Sequence, residues 1–327
     1  MNLTDTYPRL VGDVGGTNAR FAVQLSPGSV ISSPHSLCCS EFAGPDAAVR
    51  HYLELAGLPQ PRWAALAFAL PISGDILSMT NNGWTFSVRE LRENIGVSHL
   101  RMLNDFTALA LALPSLSPAE LVQIGAGQAE TGKAIGLIGP GTGLGVSGLI
   151  PCPQGYSAIE GEGGHVTLPA FNAREAGLIA LAQKKFPHIS AERLLSGPGL
   201  SLLYEIIAES NGIPAEILQP DEISQRGVTG SCPLCRETLD TFCAMLGTVA
   251  ADLALTLGAR GGVYIGGGII PKLGEYFGAS PFRKRFEEKG RFGTYLTNIP
   301  TWVITAPWPG LTGAVNSLND DARQVNG

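Results

Sequence analysis

Cysteine is scarce in this sequence, with six residues in a chain of 327. Cys38 and Cys39 are adjacent, which makes a shared disulfide difficult, and the only C-x-x-C motif runs from Cys232 to Cys235. That motif has neither a second cysteine pair nor a nearby histidine, which argues against a zinc site. A redox motif would follow a strand, whereas "QRGVTGS" precedes this one. We therefore expect free thiols in a reducing compartment.

Basic clusters and long apolar runs are also missing. The net charge is −6 and no basic patch is visible, so nucleic acid and anionic membranes are poor partners. The first ten residues, "MNLTDTYPRL", lack the basic start and apolar centre of a signal peptide. The apolar run near "WAALAFALPI" is about half as long as a membrane span. These absences predict a soluble, cytoplasmic protein with no membrane partner.

Apolar material, in contrast, is ample. Hydrophobic residues make up 44% of the chain and charged residues 15%, the balance of a globular protein. A chain of 327 residues exceeds the size at which single hydrophobic cores stop growing. We therefore expect two domains.

Glycine-rich turns between apolar strands recur along the chain. "LVGDVGGTNARFAV" (10–23) and "AIGLIGPGTGLGVSGLI" (134–150) each read as strand, turn and strand. A third glycine cluster, 266–268, follows the apolar run in "GGVYIGGGII". Two α/β domains, each opening with such a hairpin, account for this recurrence.

Several other segments have a clear periodicity or clear end signals. "RWAALAFAL" is typical of a strand buried on both faces, and "FSVRELRENIG" has the Ser87–Glu90 spacing of a capping box. "HLRMLND" predicts a strand, followed by a helix that stops at Pro114. A long helix with apolar residues three or four apart ends at Gly258. "LPSLSPAEL" suits a linker, and "PGLTGAVNSL" predicts a short helix that returns to the first domain.

The first glycine turn is suited to phosphate. Glycines leave backbone N–H groups uncovered, and Thr17 and Asn18 add side-chain donors. Asp13 would repel a bare phosphate, so its presence implies a cation, and Mg²⁺ suits a site with few carboxylates. A plain hairpin turn explains the same residues equally well.

The second glycine turn has a competing interpretation. Gly143 to Gly148 match the dinucleotide fingerprint G-x-G-x-x-G, with Glu162 about 20 residues further on. That fingerprint must open a helix, whereas this one runs into "LIPCPQG", which contains two prolines. No Gly-Lys-Ser/Thr follows either, so it is not a Walker A loop. We therefore favour phosphate contact by a hairpin turn.

Three polar sites remain open to two interpretations each. Glu162 and His165 lie three apart in "GEGGHV", and they are either two hydrogen-bonding groups that face a polar substrate or part of a solvated loop. Glu192 in "SAERLLSGPGL" is either a ligand or a favourable acid at a helix start. Asn104 and Asp105 end a predicted strand, where ligands bind in α/β sheets, but Asp105 could equally be the next helix's N-cap.

In combination, these segments resemble the bacterial glucokinase family of the enteric, hexokinase-related type. The matching segments follow in family order from residue 10 to about 315: "LVGDVGGTNARFAV", "MTNNGWTFS", "LNDFTALALALP", "GPGTGLGV", "GEGGHV", "SAERLLSGPGL", "GGVYIGGGI" and "WPGLTGAV". The resemblance implies an α/β, two-domain actin-like/ribonuclease-H-like (hexokinase-type) fold with an interdomain cleft. It implies a small domain of residues 1–114 plus about 307–327 and a large domain of residues 115–306.

The same resemblance implies ATP-dependent phosphorylation of D-glucose to glucose 6-phosphate, the first step of glycolysis. It makes Asp105 the general base and assigns the sugar to Asn104, Asp105, Glu162, His165 and Glu192. It assigns ATP to Asp13, Gly15, Gly16, Thr17, Asn18, Gly141, Thr142, Gly143, Gly266, Gly267 and Gly268, with Mg²⁺ held near Asp13 through water. It also implies a homodimer.

The resemblance leaves alternatives open. The chain could phosphorylate another hexose, act as a non-catalytic sugar or nucleotide sensor on the same fold, or be an actin- or chaperone-like ATPase. Related ROK sugar kinases carry a cysteine-rich zinc loop after the histidine motif. "GHVTLPAFNAREAG" has no cysteine at that place, so we expect no structural zinc.

Overall fold

The structure is a computed structural model that describes residues 3–80, 82–153 and 155–326. Asn81, part of the quoted segment "MTNNGWTFS", lies outside the described residues. The chain divides into two compact units, Met1–Leu116 with Ala306–Gly327, and Ser117–Thr305. We call them unit 1 and unit 2.

Strands and helices alternate along most of the chain. The strands are β1 (Arg9–Val14), β2 (Asn18–Gln24), β3 (Ser32–Cys38), β4 (Trp63–Phe68), β5 (Ile76–Ser78), β6 (Thr85–Ser87), β7 (His99–Asn104), β8 (Leu121–Ile124), β9 (Ile135–Pro140), β10 (Leu144–Cys152), β11 (Gly155–Ile159), β12 (Val263–Ile265) and β13 (Thr301–Ile304). The helices are α1 (Pro45–Ala56), α2 (Val88–Ile95), α3 (Asp105–Ala112), α4 (Ala173–Gln183), α5 (Ala191–Leu194), α6 (Gly197–Asn211), α7 (Pro220–Thr229), α8 (Pro233–Leu257), α9 (Ile270–Leu273), α10 (Glu275–Ala279), α11 (Phe282–Glu287), α12 (Gly293–Thr297) and α13 (Pro309–Asn326).

Unit 1 is built on a five-stranded sheet in the order β3-β2-β1-β4-β7. The predicted hairpin is confirmed, because β1 and β2 pair antiparallel, while β1, β4 and β7 run parallel. Every residue of β4 is buried, as its continuous apolar run predicts. Leu66 packs in the cluster that includes Leu91 and Ile95 of α2, while Ala65 packs in the cluster with Leu311 of α13. Helices therefore cover both faces of this sheet.

Two helices of unit 1 test the end signals. α2 begins after Ser87, whose hydroxyl accepts a hydrogen bond from Glu90 N, and it ends at Gly96 with φ 77°. α3 passes into a 3₁₀ turn at Leu113–Ser115, so the stop at Pro114 is confirmed within one residue. The predicted short C-terminal helix is wrong in length, because α13 has 18 residues. The C-terminal part of α13 is rich in polar residues, so the sequence does not readily show that Leu318 and Ala322 continue its buried apolar face.

Unit 2 contains a six-stranded sheet in the order β11-β10-β9-β12-β13-β8. The second predicted hairpin is confirmed, since β9 and β10 pair antiparallel with Pro140 opposite Leu144. β12 runs parallel to both β9 and β13. The segment after Gly143 is strand β10 rather than a helix, which excludes the dinucleotide fingerprint.

The long predicted helix is α8, with 25 residues and an end at Gly258, where φ is 61°. Leu239, Phe242 and Leu246 are fully buried in the core of unit 2. α8 is the described helix long and apolar enough to cross a membrane, but 72% of its qualifying window is buried inside the protein. That burial is expected of a core helix.

The C-x-x-C motif lies at the start of α8, where Cys232 is the N-cap and its sulfur accepts a hydrogen bond from Cys235 N at 3.4 Å. Helix α7 precedes the motif, in agreement with the absence of a strand there. All six cysteines, each within the described residues, are unpaired thiols.

Candidate active site

The carboxyl ends of the parallel strands in unit 1 bring two of the expected acids to one edge of the sheet. In register, Val14 of β1 lies beside Phe68 of β4, which lies beside Asn104 of β7. Asp13 is the residue before Val14, and Asp105 is the residue after Asn104. Because neighbouring strands are about 4.8 Å apart, β1 and β7 are separated by roughly 10 Å. This edge is the position at which open α/β sheets bind ligands.

Asn104, and not Asp105, is the N-cap of α3. Its side-chain oxygen accepts hydrogen bonds from Phe106 N at 2.9 Å and Thr107 N at 3.2 Å. Its amide nitrogen donates to Leu70 O at 3.3 Å. The alternative interpretation of Asp105 as the cap is therefore wrong, and Asp105 is instead the first residue of the helix. One oxygen of its carboxylate accepts a hydrogen bond from Phe106 N.

Asp13 is a half-buried acid whose side chain is 22% exposed. Burial raises the pKa of its carboxyl group, and the Arg20 guanidinium opposes that shift from 3.5 Å away. Gly310, at the start of α13, approaches so closely that an added Cβ would lie 3.2 Å from the carboxyl carbon. The carboxylate is thus held between a cation and a helix N-terminus, both of which favour negative charge.

The glycine turn after β1 is closed by its own backbone. Gly15 N donates to Asn18 O at 2.9 Å, and Cys39 N donates to Thr17 O at 2.8 Å. Thr17 and Asn18 are exposed, and Gly16 is half-buried. Thr17 and Asn18, the side-chain donors that the sequence predicts for phosphate, therefore lie at the surface, whereas the Gly15 N–H is used within the turn.

In unit 2 the two other glycine clusters meet at the carboxyl ends of β9 and β12. Gly266 N donates to Ile138 O at 2.9 Å, and Ile269 N donates to Pro140 O at 3.2 Å. An added Cβ on Gly141 would lie 3.8 Å from Gly268 N. Gly267 has φ 78°, a conformation that glycine adopts without strain. Gly141 thus lies beside Gly268, and Gly267 is half-buried and Gly268 exposed, whereas Gly266 is itself buried.

Glu162, His165 and Glu192 also come together in unit 2. Nε2 of His165 lies 3.9 Å from Oε2 of Glu162 and 3.9 Å from Oε1 of Glu192. The His165 side chain is 61% exposed, and it lies on a 3₁₀ turn, Gly163–His165. Glu192 lies in the first turn of α5, yet its Oε2 accepts a hydrogen bond from Leu144 N at 2.8 Å. Its carboxylate is therefore part of this polar group as well as an acid near a helix start.

Two partners of these residues were missed by sequence reasoning. Arg20 lies directly opposite Asp13 in the β1–β2 register, so counting outward from the glycine turn would have found it. The bond from Leu144 N to Glu192 spans 48 residues, and no local pattern signals it.

A pocket of about 260 Å³ opens in unit 2 beside Thr142 and Glu192, with Phe186, Arg193 and Ser196 on its walls. Among residues 3–80, 82–153 and 155–326, no group of three or more His, Cys, Asp or Glu side chains is arranged to hold a metal ion. A cation near Asp13 would thus have fewer than three such side chains from the described residues, with water or a ligand for its other positions.

Known proteins resemble this chain over nearly its full length. The sequence profile of the glucokinase family matches residues 10–321. A glucokinase from Aromatoleum aromaticum is 56% identical over 318 residues, covering 97% of this chain and 96% of its own length. One from Neisseria meningitidis serogroup C is 50% identical and covers 98% of this chain and 97% of its own.

Solved structures agree with the sequence relatives. The crystal structure of a glucokinase from an Antarctic psychrotroph superimposes with a TM-score of 0.87. It is 39% identical to this chain and covers 96% of it and 99% of its own length. The fold is therefore the two-domain hexokinase-type fold predicted from the sequence, and the chain belongs to the glucokinase family.

Proposed function

We propose that this protein phosphorylates D-glucose at its 6-hydroxyl group with ATP as the donor, giving glucose 6-phosphate and ADP. The observation that carries the proposal is the family match over residues 10–321, with a glucokinase that is 56% identical over 97% of the chain. The geometry supports it, because glycine turns follow the carboxyl ends of parallel strands in both units, Asp105 follows β7, and the Glu192 carboxylate is bound at the start of β10.

Asp105 acts as the general base in this proposal. It lies at the ligand-binding edge of the unit 1 sheet, and Asn104 performs the capping that Asp105 would otherwise supply. The carboxylate accepts the proton of the sugar hydroxyl group as the hydroxyl oxygen attacks the γ-phosphorus of ATP. Such assistance is typically worth about 10²- to 10⁴-fold in rate.

The glycine clusters hold the nucleotide in this proposal. Backbone N–H groups and the hydroxyls of Thr17 and Thr142 bind the phosphates, while Gly266, Gly267 and Gly268 approach the adenosine. Asp13 would hold Mg²⁺ through water, since one carboxylate with retained waters is a common magnesium arrangement. A magnesium ion held there would supply neutralisation of phosphate charge, which together with positioning does most of the work of phosphoryl transfer.

The sugar is recognised by residues that either accept or donate hydrogen bonds. The His165 ring lies within 4 Å of the Glu162 carboxylate and within 4 Å of the Glu192 carboxylate. Together with Asn104 and Asp105 they would read the sugar hydroxyls. A site that hydrogen-bonds a hydroxyl rejects the analogue lacking it by roughly 10⁴-fold, because a desolvated partner is left unpaired.

A coupled assay of ADP release with and without glucose tests the proposal. We expect release that depends on glucose, with glucose 6-phosphate as the product by mass spectrometry. Mannose, fructose and glucosamine in parallel reactions identify a different hexose preference. ADP release at the same rate without sugar would indicate an ATPase, and none with any sugar would indicate a sensor.

We propose a homodimer from the family resemblance and a cytoplasmic location from the signal-peptide and membrane-span patterns that the sequence lacks. Light scattering coupled to size-exclusion chromatography would test the first. Fractionation of cells that express the chain would test the second.

A further inference from the structure

The start of strand β10 contacts the sugar-recognition group directly. Leu144 N donates to Oε2 of Glu192 at 2.8 Å, and the other carboxylate oxygen of Glu192 lies 3.9 Å from Nε2 of His165. One oxygen of Glu192 is therefore fixed by the backbone of the glycine turn. The second is left to face His165 and any sugar bound beside it.

Gly143 leaves the space that this arrangement needs. A Cβ added to Gly143 would overlap Oε2 of Glu192. Gly143 is not among the glycines with positive φ, so its backbone would accept alanine. The requirement for glycine here is thus one of space for the carboxylate.

Leu144 also borders the loop that carries His165. An added Cβ on Gly164 would collide with the carbonyl oxygen of Leu144, which shows how closely that loop lies against β10. The turn is fastened on its other side, because Gly197 N donates to Gly141 O at 2.8 Å. Glu192 and the His165 loop are therefore both built against the first residue of β10.

We propose that Gly143 and Leu144 are positioning residues for glucose, in a turn whose sequence indicates only phosphate binding. They hold the Glu192 carboxylate in the orientation that meets the sugar. This inference rests on the proposed function, because it assigns part of the nucleotide-binding turn to the sugar. It implies that a substitution that displaces Gly143 or Leu144 lowers the affinity for glucose more than the affinity for ATP.

Gly143→Ala tests the proposal by steady-state kinetics and by calorimetric titration of glucose without nucleotide. We expect the KM for glucose to rise about tenfold or more, the size of a lost hydrogen bond to a charged group, while the KM for ATP changes less. Gly177→Ala is the control for the substitution itself. It lies on the exposed face of α4 with nothing within 4 Å of an added Cβ, and both constants should stay unchanged.

Gly141→Ala is the comparison within the same turn. Its Cβ would touch only Gly268 N, at an ordinary contact distance of 3.8 Å, and would not reach Glu192. We expect it to affect ATP more than glucose. If Gly141→Ala raises the KM for glucose as much as Gly143→Ala does, or if Gly143→Ala affects ATP alone, the proposal is wrong.

A double-mutant cycle separates positioning from a general disturbance. Glu192→Asp withdraws the carboxylate by one methylene, so in the Gly143→Ala background it should cost less glucose affinity than in the wild type. Additive effects would contradict the proposal.

Amide exchange keeps the test valid if Gly143→Ala fails to fold. The Leu144 amide should exchange slowly in the wild type and faster in Glu192→Ala, whereas equal rates would overturn the hydrogen bond on which the inference depends. If the wild-type protein shows no glucose-dependent ADP release, the proposed function itself is refuted.

Discussion

The two glycine turns have the same sequence character but different surroundings. The turn at 15–17 follows strand β1, which carries the acid Asp13. The turn at 141–143 instead lies against Glu192, whose carboxylate accepts a hydrogen bond from Leu144 N across 48 residues of sequence. An added Cβ on Gly15 would meet only Asn18 O, at 3.5 Å, while one on Gly143 would overlap Glu192. The space beside Gly15 is therefore open, whereas the space beside Gly143 is occupied by the Glu192 side chain.

This difference shows what a glycine turn leaves undecided. Both turns connect antiparallel strands at the edge of a sheet, and both leave backbone donors without side chains around them. In the first turn the polar groups Thr17 and Asn18 are exposed, so they can meet a ligand. In the second, Leu144 N is already bound to a carboxylate of the same unit. Similar turns can therefore bind a ligand directly or position a side chain that does so.

The largest effect should come from Asp105→Ala. Removing the proposed base should lower kcat by about 10²- to 10⁴-fold, while ATP binding measured by titration persists. Asn104 still caps α3, so the circular dichroism spectrum should not change. Turnover close to that of the wild type would remove Asp105 from the mechanism.

Glu192→Gln should have the next largest effect, on the side of the second turn. Glutamine retains an oxygen that accepts from Leu144 N, so the substitution removes the charge but keeps the position. The KM for glucose should rise about tenfold, the scale of a hydrogen bond to a charged group, and the KM for ATP should rise less. Equal changes in both constants would argue against a sugar contact.

Asp13→Asn should have opposite effects on activity and stability. Burial raises the pKa of Asp13, so the folded chain binds this proton more tightly than the unfolded chain does. Ionisation of this carboxyl group therefore lowers the free energy of unfolding. The loss develops as pH rises from the pKa of the unfolded chain to the higher pKa of the folded chain.

At neutral pH the Asp13→Asn variant should unfold at a higher temperature, because its free energy of unfolding should be higher by an amount on the order of 1 kcal/mol. That gain should vanish below about pH 4, where the unfolded chain's carboxyl group is also protonated. The KM for Mg-ATP should rise because the proposed cation site is lost. A variant that is less stable than the wild type at pH 7 would show that the Arg20 pair outweighs burial.

Gly15→Ala should have the smallest effect, and on stability alone it should be neutral or favourable. The residue is not in the positive-φ region and its Cβ would meet Asn18 O at an ordinary 3.5 Å. Such changes stabilise by up to about 1 kcal/mol through the unfolded chain. Gly12→Ala is the contrast, because its Cβ would lie 2.6 Å from Leu66 Cδ2, and chemical denaturation should show a loss.

Much of the fold could be predicted from local patterns, because those patterns act locally. The capping residues of α2, the apolar run of β4 and the period of α8 each depend on neighbours within a few residues. The sequence predicts too short a helix α13, because the polar end of this helix is held by burial of Leu318 and Ala322 against the unit 1 sheet rather than by propensity. The role of Asp105 as a cap could not be decided, since Asn104 and Asp105 are both good caps.

The amino-acid sequence alone predicts the family, the hairpins with their glycine turns, the polar residues at the strand ends and, by counting outward from the first turn, Arg20 opposite Asp13. That Asn104 rather than Asp105 caps α3, and that Leu144 N donates to the Glu192 carboxylate, is visible only in the folded chain. The two groups of features differ in the sequence separation of the residues that interact. Turns and strand pairing between neighbours follow from residues that are adjacent in the chain, whereas a hydrogen bond across 48 residues forms only after the sheet and α5 are packed together.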